Sequence, residues 1–328
     1  MRAARFFDGE RWRDGTLVDV DGRMLVRDEP PAPGTPRLDG VVVGGFTDHH
    51  VHLQLVDAAL LAGSRLGRVI DLGGDPAVLL SYRDPRSLSE ERSDETKRAA
   101  RTAIAVEFAG AFLTPQGGYP SDRSWAPAGS VREIATAADA ASAVAEMADA
   151  GASCIKVASN STAGPVFDDD LFRAIVAAAG EQGLPVVAHA EGAGQAQRAA
   201  RLGASTLAHA PFTERLTDDE IVEQAASVSW ISTLAIHDSA AGAIAVDNVR
   251  RFLAAGGTVL YGTDMGNGPT PVNLNAVELD RLREAGLDGE ALLRALTPAD
   301  PRDPASVLLL LPDETSDPLD ARPLEGAI

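Results

Sequence analysis

The sequence predicts an α/β chain folded as a (β/α)8 barrel, a TIM barrel, with a small flanking β module built from both termini. Three observations carry that reading. From about residue 42 to 298, apolar runs of strand length alternate with alanine-rich helical stretches. Eight such runs can be counted, the number that closes a parallel barrel. Residues 1–41 and 299–328 break the alternation with short strands, turns and prolines.

In the first segment, Asp8-Gly9, Asp14-Gly15 and Asp21-Gly22 read as turns punctuating the strand-like Thr16–Val20 and Met24–Val26. The proline-rich stretch Asp28–Pro36 reads as a connector. The eight barrel strands are expected at Val41–Val43 leading into Phe46, Val69–Leu72, Ile104–Phe112, Cys154–Ala158, Val186–Ala190, Thr206–Ala208, Trp230–Leu234 and Thr258–Tyr261. Helices are expected at Asp139–Ala150, Asp168–Glu181, Ala193–Leu202, Thr217–Ala226, Asp247–Ala255 and Asp288–Leu296. Gly151, Gly183, Gly203 and Gly256 follow four of these as C-terminal caps, and Thr217 with Glu220 spells a capping box. Leu308–Leu311, flanked by Pro304 and Pro312, is expected as a strand that pairs with the N-terminal strands.

Composition narrows the function. With 328 residues, 45% of them apolar, the chain can bury a full core. A net charge of −19 argues against nucleic acid and against an anionic membrane surface, since both need clustered Lys and Arg. No apolar run approaches the roughly 20 residues of a membrane span. Met1–Asp8 carries charge with no apolar stretch behind it, so no secretory leader is expected. Cys154 is the only cysteine and cannot form an internal disulfide. The expectation is a cytoplasmic protein acting on a small molecule, with homo-oligomerisation left open.

The six histidines are the most informative residues. His50 and His52 stand two apart at the end of the first strand, so a period of two puts both on one face, where they can chelate one divalent ion. His49 points the other way and is read as structural. His189 ends strand five, His209 ends strand six, and Asp264 follows strand eight. Lys156 lies inside the apolar strand four, where burial is costly unless the amine is paired or modified. A purely structural account would need four separate core histidines plus a buried lysine and aspartate. All six residues instead fall at strand carboxyl ends, the rim on which barrel enzymes build their sites. Imidazole and carboxylate suit zinc-like ions, and Asp264 is placed both to ligate and to accept a proton from an attacking water.

These residues resemble the amidohydrolase superfamily. The likeness runs from Gly44 to Thr297 and rests on Gly-Phe-x-Asp-x-His-x-His at 45–52, Ile155-Lys156, Ala188-His189-Ala190, Ala208-His209 and Gly262-Thr263-Asp264. Within the superfamily, Asp71-Leu-Gly-Gly74, Gly151–Val157 and Val187–Gly192 are most similar to the imidazolonepropionase-like and prolidase-like members. The resemblance implies a distorted barrel with a small β-sandwich and two divalent metal ions, with zinc expected. It places one ion on His50, His52 and Asp264 and the other on His189 and His209, bridged by an N6-carboxylated Lys156 and a hydroxide. Two departures stand out: Ala208-His209-Ala210 replaces the frequent Glu-His-Gly, and the usual C-terminal Gly-rich Ala-Asp-Leu segment is missing.

The function expected is hydrolysis of an amide-type C–N bond in a cyclic amide, N-acyl amino acid or dipeptide-like substrate. Lactone, ester or phosphotriester hydrolysis on the same cluster is the alternative. Deamination ranks lower, because superfamily deaminases of nucleobases place a glutamate three residues after the strand-five histidine. Gly192 stands there, Glu191 stands two on, and Lys156 is present. A non-catalytic metal-binding barrel ranks last. Tyr119, Arg123 and Trp125, in the long loop after strand three, are expected to contact substrate, the arginine through a carboxylate. His237, just past strand seven, is expected to hydrogen-bond a substrate carbonyl or leaving group.

Overall fold

Alternation of apolar residues gives the terminal strands two useful faces. In the computed structural model, which describes residues 1–20, 23–83 and 104–324, the termini meet in one six-stranded sheet of order β16-β15-β4-β1-β2-β3. Its strands are β1 (Arg2–Phe7), β2 (Trp12–Val20), β3 (Arg23–Arg27), β4 (Arg37–Gly44), β15 (Leu308–Leu311) and β16 (Arg322–Pro323). Phe6, Leu17, Val26, Val42, Leu308 and Leu310 pack in a cluster of their own on one face. Their neighbours Phe7, Val41, Val43, Leu309 and Leu311 face the main core instead. The C-terminal strand therefore lands where expected, antiparallel to β4 with Leu309 opposite Val43.

The remaining strands are parallel. One sheet joins β5 (Phe46–Val51), β6 (Leu66–Asp71) and β7 (Ala105–Phe108). The other runs β14-β13-β12-β11-β10-β8-β9, with β8 (Phe112–Pro115), β9 (Val131–Ile134), β10 (Ile155–Asn160), β11 (Val186–Glu191), β12 (Thr206–Leu207), β13 (Ser229–Ile231) and β14 (Thr258–Leu260). Helices Ala137–Asp149, Asp169–Glu181, Gln195–Arg201, Asp218–Ala225 and Ser239–Ala254 alternate with the later strands. The Thr217–Glu220 capping box forms, and the four helix-ending glycines all adopt positive φ. Because the strands are parallel, their carboxyl ends gather on one side. Among the described residues no helix is long and apolar enough to cross a membrane.

Several expected elements shift. Val41–Val43 belongs to β4 of the terminal sheet, and the first parallel strand is Phe46–Val51. Gly45 lies between them, so close to Gly67 that a Cβ would come within 2.6 Å of the Gly67 Cα. The single strand expected at Ile104–Phe112 is broken into β7 and β8 by Gly110, whose φ of 79° cannot continue an extended strand. Asp14-Gly15 is no turn. It lies within β2, where Gly15 lets the carbonyl of Arg27 approach to 2.4 Å from where a Cβ would stand. The turn expected at Asp21-Gly22 lies outside the described residues. Strand seven stops at Ile231, and Leu234 enters a short 3-10 turn, Leu234–Ile236. The helix expected from Asp247 starts eight residues earlier at Ser239, capped by Asp238.

That 3-10 turn is pinned from below. Glu278, wholly buried on the helix Ala276–Glu284, accepts the Ala235 N–H at 2.7 Å. Its other oxygen finds no hydrogen-bond partner. Burial pushes the Glu278 carboxyl up to about 7, against the hydrogen bonds from Ser232, Leu234 and Ala235 that favour its charge. The folded chain thus holds this proton more tightly than the unfolded chain does. The stabilisation this supplies is full below the ordinary carboxyl range and is lost as pH rises through about 7. Glu278→Gln keeps the acceptor and removes the charge. It should raise Tm by a few degrees at pH 8 and change it little at pH 5. Thermal unfolding at the two pH values checks this, and an equal shift at both would show that Glu278 does not titrate in that window.

Candidate metal centre

The strand carboxyl ends surround a cavity of about 200 Å³. His50 comes from β5 and His52 from the residue just beyond it. Lys156 comes from β10, His189 from β11, His209 from the turn after β12, and Asp264 from the turn after β14. All six line the cavity, together with His237, Tyr119 and Trp125. Residues spread over more than 200 positions are thereby brought to one wall. His49 behaves as its opposite strand face requires. It is turned away, bonded through Nδ1 to the Tyr261 carbonyl at 3.0 Å, and burial holds it near 4.

Which nitrogen each imidazole presents is set by its partner. His50 Nδ1 lies 2.8 Å from the Ala208 carbonyl and His52 Nδ1 lies 3.1 Å from the Gly73 carbonyl. A carbonyl oxygen can only accept, so both Nδ1 atoms carry hydrogen and both Nε2 atoms face the cavity. There they meet one oxygen, Asp264 Oδ1, at 3.2 Å from His50 and 3.1 Å from His52. The other oxygen, Oδ2, is held by the Asn267 amide at 2.8 Å. His209 is anchored through Nδ1 to the Thr233 hydroxyl at 2.8 Å. Ligand atoms of His50, His209 and Asp264 all lie within 4.8 Å of one another.

Burial, aided by Lys156, pushes His50 well below the ordinary histidine range. Burial alone would raise Asp264, yet the facing His50 and His52 hold it well below the carboxylate range. The imidazole nitrogens and one carboxylate oxygen therefore face one another, a donor arrangement able to accommodate a cation. For His52, burial is outweighed by Asp264, which raises the imidazole and lets it carry a proton when nothing else supplies positive charge. Neutral imidazoles and an ionised carboxylate, each fixed by an outer hydrogen bond, form a donor set that fits a zinc-like divalent ion.

Lys156 is 1% exposed, and burial lowers its amine to about 8 despite Asp264, Cys154 and Asp71. His189 differs from the other histidines: its Nε2 is bonded to Glu191 Oε2 at 3.1 Å. Glu191 is in turn fixed by Asn160 Nδ2 at 2.7 Å and Thr162 Oγ1 at 3.1 Å. His237 stacks on Phe212 with centroids 4.1 Å apart, is held near 4 by burial, and keeps a buried Nε2 without a partner.

Arg123 is the one expected site residue that does not line the cavity. Its guanidinium pairs with Asp122 at 3.3 Å and lies 5.7 Å from the Tyr119 ring. Sequence reasoning missed Phe112, Glu191, Phe212 and Asn267, which do line it. Glu191 had a signal, because it follows His189 by two on the same strand face. Asn267 had none, since its place depends on the turn after β14.

No family model and no curated protein matches this chain. Solved structures do. A Xaa-Pro dipeptidase with bound methionine in its active site gives a TM-score of 0.70 at 16% identity, covering 99% of each chain. An amidohydrolase gives 0.69 at 18% identity, over 97% of this chain and 92% of that one. The ochratoxinase of A. niger gives 0.67 at 15% identity, over 98% and 94%. The chain therefore shares the fold of these solved proteins along nearly its whole length, in keeping with the amidohydrolase resemblance that its motifs carry.

Proposed function

We propose that this protein is a metal-dependent hydrolase of an amide-type C–N bond. The observation that carries the reading is the convergence of His50 Nε2, His52 Nε2 and Asp264 Oδ1 at 3.1–3.2 Å, with both Nδ1 atoms tied to carbonyls. We read the parallel sheets as one (β/α)8 barrel spanning 42–298. Backbone bonds at both seams support this, Ser153 N to the Phe108 carbonyl at 2.9 Å and His52 N to the Met265 carbonyl at 2.7 Å. We read 1–41 with 299–328 as a sandwich-like module, supported by the separate apolar cluster on its outer face. The fold-sharing dipeptidase and amidohydrolase favour a C–N bond as the target.

His50, His52 and Asp264 would hold one divalent ion, and His189 and His209 a second, with Lys156 between them; zinc suits the donors. Such ions polarise a carbonyl and lower the pKa of water. Asp264 supplies the proton acceptor, and Asn267 keeps its carboxylate turned so that Oδ1 faces the reacting region. His237, neutral and with an unused Nε2, offers a hydrogen bond to the substrate carbonyl or leaving group while Phe212 fixes its plane. Lys156 is read as a carbamate. Its neutral amine adds carbon dioxide, forming the N–C bond and releasing one proton, and the buried cation becomes an anion able to sit between two positive charges. The amine's lowering to about 8 supports this.

Three outcomes follow. Elemental analysis of gently purified protein should find about two divalent ions per chain, and active protein with none would refute the metal reading. Asp264→Asn should leave the fold intact and lower kcat by roughly two to four orders of magnitude, whereas near-normal turnover would place the proton acceptor elsewhere. Lys156→Ala should lose bound metal and most activity, with acetate restoring part of both. Lys156→Arg should not substitute, because a guanidinium cannot be carboxylated. Full metal content in either variant would rule the carbamate out.

A further inference from the structure

We propose that the Asp71-Leu-Gly-Gly74 turn is a clamp for His52, with Asp71 as the residue that positions this imidazole. What the clamp does for a metal ion rests on the metal-dependent reading above.

Four consecutive residues, Val51 to Gln54, are bonded to the chain that leaves β6. The Val51 carbonyl accepts the Leu72 N–H at 3.0 Å. His52 donates from Nδ1 to the Gly73 carbonyl at 3.1 Å. Leu53 donates its N–H to Asp71 Oδ2 at 2.6 Å, and Gln54 Oε1 accepts the Asp75 N–H at 2.6 Å. The second oxygen of Asp71, Oδ1, accepts the Gly73 N–H at 2.9 Å. One wholly buried carboxylate therefore holds both the residue that follows His52 and the residue whose carbonyl receives its Nδ1 hydrogen. A carboxylate suits the task because it only accepts, and both its partners are N–H donors.

The two glycines complete the clamp. A Cβ on Gly73 would stand 2.0 Å from the Phe112 ring, and that ring packs on His52 with centroids 5.7 Å apart. A Cβ on Gly74 would stand 2.6 Å from Gln54 Oε1. A larger residue at either position would push the turn off the segment it holds. The clamp matters because His52 has a competing partner. Asp264 Oδ1 lies 3.1 Å from Nε2 and draws a hydrogen to the nitrogen that faces the cavity. A charged acceptor forms the stronger bond. The Gly73 carbonyl opposes it only while it stays in line with Nδ1, and Asp71 keeps it there.

Long-range 1H–15N spectra of the metal-free protein read the imidazole hydrogens, and zinc titration against a chromogenic chelator reads metal affinity. In the native chain His50 and His52 should each show an exchange-protected Nδ1 hydrogen. In Asp71→Asn the side-chain amide sets an N–H against one of the two backbone donors. His52 should then lose its protected hydrogen, while His50 keeps its own through the Ala208 carbonyl. Zinc Kd should rise about tenfold or more. Phe172→Leu, a core change on the helix Asp169–Glu181 that does not touch the cavity, is the stability control. It should lower Tm and leave both readouts unchanged. The proposal is overturned if Asp71→Asn keeps the protected His52 hydrogen, or loses it with zinc affinity unaltered. It is also overturned if Phe172→Leu loses that hydrogen as fully. Should Asp71→Asn not fold, Gly73→Ala applies the same test from the other side of the bond. An unprotected Nδ1 on His52 in the native chain overturns the clamp by itself. If the hydrogens behave as expected and the native protein binds no zinc, the clamp stands and the metal reading falls.

Discussion

Two backbone carbonyls, those of Ala208 and Gly73, determine which nitrogen His50 and His52 turn to the cavity, and the site depends on that choice. Neither carbonyl is local. Ala208 is 158 residues from His50, at the end of β12 on the far side of the parallel strands, and Gly73 follows β6. The tautomer of each imidazole is therefore a property of the tertiary fold. Were either strand to slip by one residue, the carbonyl would point away and the imidazole could protonate at the nitrogen that now faces the cavity.

Buried acids beneath the cavity enforce the same geometry. Asp48 accepts from the Thr263 hydroxyl at 2.6 Å, the Thr263 N–H at 3.1 Å and the His50 N–H at 3.1 Å, tying β5 to the turn after β14. The next residue, Asp264, has a φ of 53°, a left-handed conformation that costs a non-glycine residue about 1–3 kcal/mol. It persists because Thr263 is held from below and the Asp264 carboxylate is held from above by Asn267. In this conformation Oδ1 faces both imidazoles.

How much of this the sequence disclosed follows from where each residue sits. Residues on strands obey a period of two, so His50 and His52 could be assigned to one face, His49 to the other, and Lys156 to the interior, all from spacing alone. The run of parallel strands and the pairing of Leu308–Leu311 with the N-terminal strands were legible for the same reason. Boundaries were not. Gly45 and Gly110 divide apolar runs that look continuous, because a close approach or a positive φ leaves no mark on hydrophobicity. Glu278 was invisible as well: a glutamate on a helix reads as solvent-facing, and only packing against the turn after β13 reveals that it is buried.

The loop after β8 follows the opposite rule. Tyr119, Arg123 and Trp125 lie in one loop with similar claims from sequence, and the loop's path separates them, with two rings turned in and the guanidinium turned out. A guanidinium keeps most of its hydration at the surface and loses it in a small apolar cavity unless an anion compensates, and Asp122 supplies that partner outside. The rings lose nothing by turning inward.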